Sequence, residues 1–83
     1  MAEERPYIVA YDISLARRRA RVARYLEARG ARVQKSVFVC RLTAAGSRRL
    51  RRALERMIDA RADALMVEPV AGRPLARPEA LIF

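Results

Sequence analysis

A chain of 83 residues with one cysteine and no histidine makes a single small domain, and its composition excludes an internal disulfide, a zinc cluster and an imidazole general base. Eighteen basic residues against nine acids leave a net charge of +9, which points to an anionic partner, nucleic acid first. A core this small commonly needs added support, and with disulfides and zinc removed a second subunit is the expected source.

The chain opens on Met1-Ala2-Glu3-Glu4-Arg5, too polar and acidic for a secretion signal, and no apolar run is long enough to cross a bilayer. A cytoplasmic protein with no membrane partner is expected. Residues 7–13 are rich in aromatic and β-branched types and predict a buried strand. Ser14 can cap a following helix over 15–29, which Gly30 would stop. Residues 31–42, "ARVQKSVFVCRL", predict two strands tightly joined at the polar Gln34-Lys35-Ser36, or one long bent strand. Thr43 is the expected N-cap of a second helix whose buried stripe is Leu50, Ala53, Leu54, Met57 and Ile58. That helix should end near Asp59 or Ala60. Residues 63–68 predict the last core strand, stopped by Pro69. Beyond it lie a proline-bearing linker and the apolar "EALIF", a strand that either joins a partner's sheet or folds back on its own subunit.

The order strand, helix, strand, strand, helix, strand is an α+β, ferredoxin-like βαββαβ arrangement with an extra C-terminal strand. Residues 1–69 form the nucleic-acid-binding domain, and 70–83 the linker and tail. Two helices cover one sheet face, yet both faces are apolar. Tyr7, Val9 and Tyr11 alternate with Ile8 and Ala10, Phe38 and Cys40 with Val37 and Val39, and Leu65 and Val67 with Ala64 and Met66. The uncovered face is therefore expected to be buried against a second copy of the chain.

Asp12 ends the first strand and faces an arginine-rich helix. Seventeen of the 18 basic residues are arginine, whose planar fork pairs with phosphate oxygens at two points. Arg17, Arg21 and Arg24 follow helical spacing and form one ridge, a candidate phosphate track, while Arg19 should emerge beside the sheet near Asp12. Magnesium takes as few as one or two carboxylates, and a two-fold dimer would supply Asp12 twice. The competing arrangement has Asp12 pairing with Arg19 or capping the helix. Tyr11 and Phe38 can stack bases or pack the core. Glu27, Glu55 and Asp59 are expected to pair with helical arginines three or four residues away. Cys40, set among apolar residues, is expected to be buried.

"YIVAYDIS", "RRRARVARYLEARGARVQKSVFVCRLT" and "RRALERMID" resemble, in order and spacing, CRISPR-associated protein 2, the small subunit of the spacer-acquisition machinery. The resemblance implies a homodimer of ferredoxin-like subunits with exchanged C-terminal strands. It implies Asp12 as the metal ligand and catalytic residue, with magnesium or another divalent cation, and functional roles for Tyr11, Arg19, Arg21, Arg32 and Phe38. It also implies hydrolysis of RNA or double-stranded DNA, or a scaffold that joins the CRISPR-associated protein 1 integrase to a prespacer duplex. The proline- and arginine-rich tail after Pro69 departs from the pattern. Two other readings share the topology: a single-stranded RNA-binding module that stacks bases on strand aromatics, and a toxin-like ribonuclease. Against the first, "KSVFVCRL" lacks the glycine and paired aromatics of that module's central strand.

Overall fold

A computed structural model describes residues 2–70, so the expectations for the C-terminal linker and strand lie outside the described residues. The elements are β1 (Arg5–Asp12), α1 (Ala16–Glu27), β2 (Ala31–Gln34), β3 (Val37–Leu42), α2 (Ala44–Met57) and β4 (Ala64–Pro69). They form one four-stranded sheet in the order β2-β3-β1-β4, with every pairing antiparallel. The two strands richest in apolar residues, β1 and β3, therefore take the central positions, where both edges are hydrogen-bonded. Val9 lies opposite Phe38 on one side and Val67 on the other.

Residues 31–42 resolve into two strands with Lys35 and Ser36 at the turn, and β2 carries an irregularity between Arg32 and Gln34. The polar triplet breaks the apolar run, and the Ser36 carbonyl accepts from Tyr11 N at 3.1 Å. The turn is thereby tied to the end of β1.

Thr43 caps α2 as expected, its hydroxyl accepting from Gly46 N at 2.9 Å. Ser14 does not cap α1. The N-cap position falls on Leu15, which offers no side-chain hydrogen bond, because the Ser14 hydroxyl turns to Asp63 at 3.4 Å. The helix ends two residues early at Glu27, where Arg29 N and Gly30 N both reach the Leu26 carbonyl at 2.9 Å.

Both helices lie on one side of the sheet. Val22, Leu26, Leu50 and Leu54 pack with Tyr7, Val9, Tyr11, Phe38, Cys40 and Val67 in the main core. Phe38, Leu26, Leu54, Val9, Val22 and Cys40 are its largest fully enclosed side chains, and each aliphatic or aromatic one contributes about 1.5–3 kcal/mol by leaving water. The opposite face gathers Ala10 and Val37 with Ile8, Val33 and Met66, and no helix contributes to it. The sequence alternation of residues 7–11 and 37–40 is thus realised, with the tyrosines and Phe38 on the helix side.

Candidate nucleic-acid interface

Asp12 belongs to the open side. It continues the row Ile8, Ala10, and its register partner on β4 is Ala64. The carboxylate is exposed and makes no hydrogen bond or ion pair among the described residues. It borders a cleft of about 520 Å³ whose other walls include Ala10, Lys35, Val37 and Met66. Lys35, the chain's one lysine, was not among the residues that the sequence singled out for function. Its signal is compositional: it is the exception in a chain that otherwise uses arginine. Strand pairing brings it to Asp12 through the Tyr11–Ser36 hydrogen bond.

Neither expected partner of Asp12 is realised. Arg19 does emerge beside the sheet, but its Nη1 donates to the Ile13 carbonyl at 2.8 Å. The α1 cation that finds an acid is instead Arg18, whose Nε donates to Asp63 at 2.6 Å. The Asp63 side chain has no solvent exposure, and it also accepts from Ser14 N at 3.1 Å and Asp59 N at 2.8 Å. These contacts join the β1–α1 loop to the α2–β4 loop directly behind Asp12. The Arg18 hydrogen bond holds the Asp63 carboxyl far below the usual carboxylate range, with the backbone donors assisting against the desolvation that opposes them. Arg18 is raised in turn by Asp63.

The other predicted residues separate by side of the sheet. Arg17, Arg21 and Arg24 are exposed on α1 and pair with nothing among the described residues. Arg32 is engaged internally. It donates to the Lys35 carbonyl at 3.2 and 3.0 Å, meets Glu27 at 3.3 Å, and lies 5.2 Å from the Phe38 ring centre. Glu27 therefore pairs with Arg32 rather than with a helical arginine. Arg51 approaches Glu68 at 3.9 Å and donates to the Val67 carbonyl at 2.9 Å, which leaves Glu55 without the pairing expected for it.

Tyr11 and Phe38 stack on each other with ring centres 6.4 Å apart, but beneath the helices. Phe38 is wholly enclosed and Tyr11 is 6% exposed, so the base-stacking expectation is corrected for both: core packing has claimed these rings. The Tyr11 hydroxyl is buried without a hydrogen-bond partner. Because the open face is Ile8, Ala10, Val33, Val37 and Met66, with no ring among its described residues, the RNA-binding reading loses the aromatic platform it requires. Cys40 is buried as expected, and burial pushes its thiol pKa up.

No group of three or more His, Cys, Asp or Glu among the described residues could hold a metal ion. At the cleft the described residues offer one carboxylate, the unpaired Asp12. That donor fits magnesium, which fills its remaining positions with water and phosphate oxygen, and does not fit a cage of protein ligands.

The fold and its cleft define a class: a small, strongly basic ferredoxin-like protein with one free acid at the end of its first strand. Residues 5–75 match the family described as CRISPR associated protein Cas2. The chain belongs to that family. It is 46% identical over 70 residues to a protein of Thermus thermophilus named CRISPR-associated endonuclease Cas2 2, covering 84% of this chain and 78% of the relative. It is 38% identical over 71 residues to a Synechocystis protein named CRISPR-associated endoribonuclease Cas2 3, covering 86% and 77% respectively. Among solved structures, Cas2 of Streptococcus pyogenes superposes with a TM-score of 0.73 at 28% identity, covering 80% of this chain and 86% of that one. A hypothetical protein of Thermus thermophilus superposes with a TM-score of 0.80 at 44% identity, covering 88% and 89%. Among the described residues, no helix is long and apolar enough to cross a membrane.

Proposed function

We propose that the chain is a CRISPR-associated nuclease that works as a homodimer, with Asp12 of each copy as the acid that serves hydrolysis of RNA or duplex DNA. The observation that carries this reading is the shared side of β1. Ile8 and Ala10, which have no helix over them, lead directly to the unpaired Asp12. Two copies apposed through their open faces would cover the apolar row and bring two carboxylates to one cleft. Relatives named as endonuclease and endoribonuclease support the reaction class.

In this arrangement Lys35 supplies a positive charge to phosphate at the cleft, and the exposed Arg17 and Arg21 guide the strand toward it. Arg32 acts by anchoring the Lys35 carbonyl. Asp12 would hold magnesium or another divalent cation, which when bound supplies a Lewis acid and a more acidic water. The test replaces Asp12 with Asn. Hydrolysis by the purified dimer should fall at least about a hundredfold, the scale of lost acid–base or metal assistance, while dimerisation and binding persist. Cleavage that survives unchanged in a preparation free of other nucleases sinks the hydrolytic reading.

A second reading follows from the solitary carboxylate, since no three-ligand cluster accompanies Asp12 among the described residues. Here the dimer binds a prespacer duplex and bridges the CRISPR-associated protein 1 integrase during spacer acquisition, with Asp12 idle. Reconstitution with the integrase and a duplex distinguishes the two readings: spacer integration that is indifferent to Asp12→Asn favours the scaffold.

A further inference from the structure

The arginines divide sharply by what they touch. Arg18, Arg19, Arg29, Arg32 and Arg51 spend their guanidinium groups on a carboxylate or a main-chain carbonyl. On α2, Arg48, Arg49, Arg52 and Arg56 are all exposed and form no pair among the described residues. Leu50 and Leu54 fix the buried side of this helix, so residues 48, 52 and 56, four apart, stand in one row on the side away from the sheet, with Arg49 on its flank. Such a row repels itself at a cost to helix stability, and among the described residues neither of the acids nearest along the chain, Glu55 and Asp59, forms an ion pair with it. α1 packs alongside α2 and carries the exposed Arg24 in the same helical layer, which extends the basic surface.

We propose that the outer face of α2 is a second, sequence-independent surface for duplex nucleic acid, separate from the Asp12 cleft. This rests on the reading of the chain as a nucleic-acid-binding protein and adds a location that reading does not use. The ridge lies behind the sheet from Asp12, so it stays open when the opposite face is covered by another copy. A duplex backbone is the occupant that its chemistry fits. Guanidinium forks match phosphate oxygens in pairs, and spacing along a helix side presents them as a line rather than a pocket. The one large apolar residue exposed among those described is Leu15, which is not on α2, so the ridge offers no exposed apolar wedge for a lipid bilayer.

The experiment compares the intact chain with R48Q/R49Q/R52Q/R56Q and with R5Q/R41Q/R61Q, which removes exposed charge elsewhere. Each protein is titrated with a short duplex of arbitrary sequence at several salt concentrations, and with vesicles of phosphatidylserine and phosphatidylcholine. All seven side chains are exposed, so circular dichroism and melting should be unchanged and any loss is one of binding. At about 0.9 per phosphate contact, loss of the ridge should reduce the steepness of log affinity against log salt by about 3, with at least a tenfold loss of affinity at low salt. R5Q/R41Q/R61Q should reduce it by less than about 1. Equal effects from the two variants, per charge removed, overturn the proposal. So does loss of vesicle binding with duplex binding intact. If the intact chain binds no duplex at any salt, the parent reading fails; if it binds and the α2 variant binds identically, the ridge alone fails.

Discussion

Gly30→Ala tests whether the packing that turns α1 into β2 is as close as the structure has it. A Cβ at this position would lie 2.5 Å from the Val39 carbonyl oxygen, 2.6 Å from Cys40 Sγ and 3.0 Å from Cys40 Cα. Ordinary contacts begin near 3.5 Å, so about 1 Å of movement is needed. Neither neighbour can supply it: Cys40 is fully enclosed, and Val39 is held between Ile8 of β1 and Ala31 of β2. Overpacking against such a wall costs about 1–3 kcal/mol, and a main-chain collision belongs at the upper end. For a domain of this size about 3 kcal/mol lowers Tm by roughly 12–24 °C. Thermal melting by circular dichroism, with urea unfolding beside it, reads the change. Adding Cys40→Ala removes the sulfur but not the carbonyl, so the double variant should recover only part of the loss relative to Cys40→Ala alone. A Gly30→Ala protein that melts within about 3 °C of the parent, less than a 1 kcal/mol change would produce, refutes the close approach.

Thr43→Ala removes the one side-chain cap on α2 and should cost about 1 kcal/mol, seen as a fall in Tm of about 4–8 °C; no fall would mean that water replaces the cap without loss. The Asp63 carboxyl is depressed in the folded chain, so its stabilisation is present above the unfolded pKa near 4 and is lost as pH drops below it. The Tm advantage over Asp63→Asn should accordingly be greatest from about pH 5 upward and close toward pH 2; a constant gap contradicts the Arg18 pairing as its source. Val39→Glu places a charge in the middle of the open face. If two copies meet there, dissociation should strengthen more than about a hundredfold, from about 3 kcal/mol or more of unpaired charge burial, as measured by sedimentation equilibrium. Lys35→Met should weaken binding of nucleic acid and lower its salt dependence by about one phosphate contact. An unaltered salt slope removes Lys35 from the interface.

What could be read from the sequence was what neighbours along the chain decide. The period of two in residues 7–11 and 37–40 and the spacing of Leu50, Leu54 and Met57 specify strands and a half-buried helix by themselves, and Thr43 meets its partner three residues on. Ser14 looked equally suited to capping, but its hydroxyl and amide go to Asp63, 49 residues away. No local pattern records such a contact. The same distant acid explains why Arg18 and not Arg19 forms the buried ion pair, since both border the stripe made by Val22 and Leu26. For Tyr11 and Phe38, alternation said that they share a side with Val9 and Cys40. It could not say which side the helices would choose, and that choice is what buries both rings and removes them as platforms for bases.

That choice of side also couples Asp12 to association. Had the helices covered Ile8 and Ala10, the acid would have been screened by α1 and the tyrosines left for a ligand. As folded, residues 8, 10 and 12 share the open side, so an event that covers the apolar row must bring other groups up to the carboxylate. Hydrolysis that depends on the cleft should then track the fraction of protein associated through this face, whereas attraction of duplex to the arginines behind the sheet should not. A protein in which Val39→Glu abolished association yet left the rate per chain intact would separate the two, and Asp12 would have to act within a single subunit.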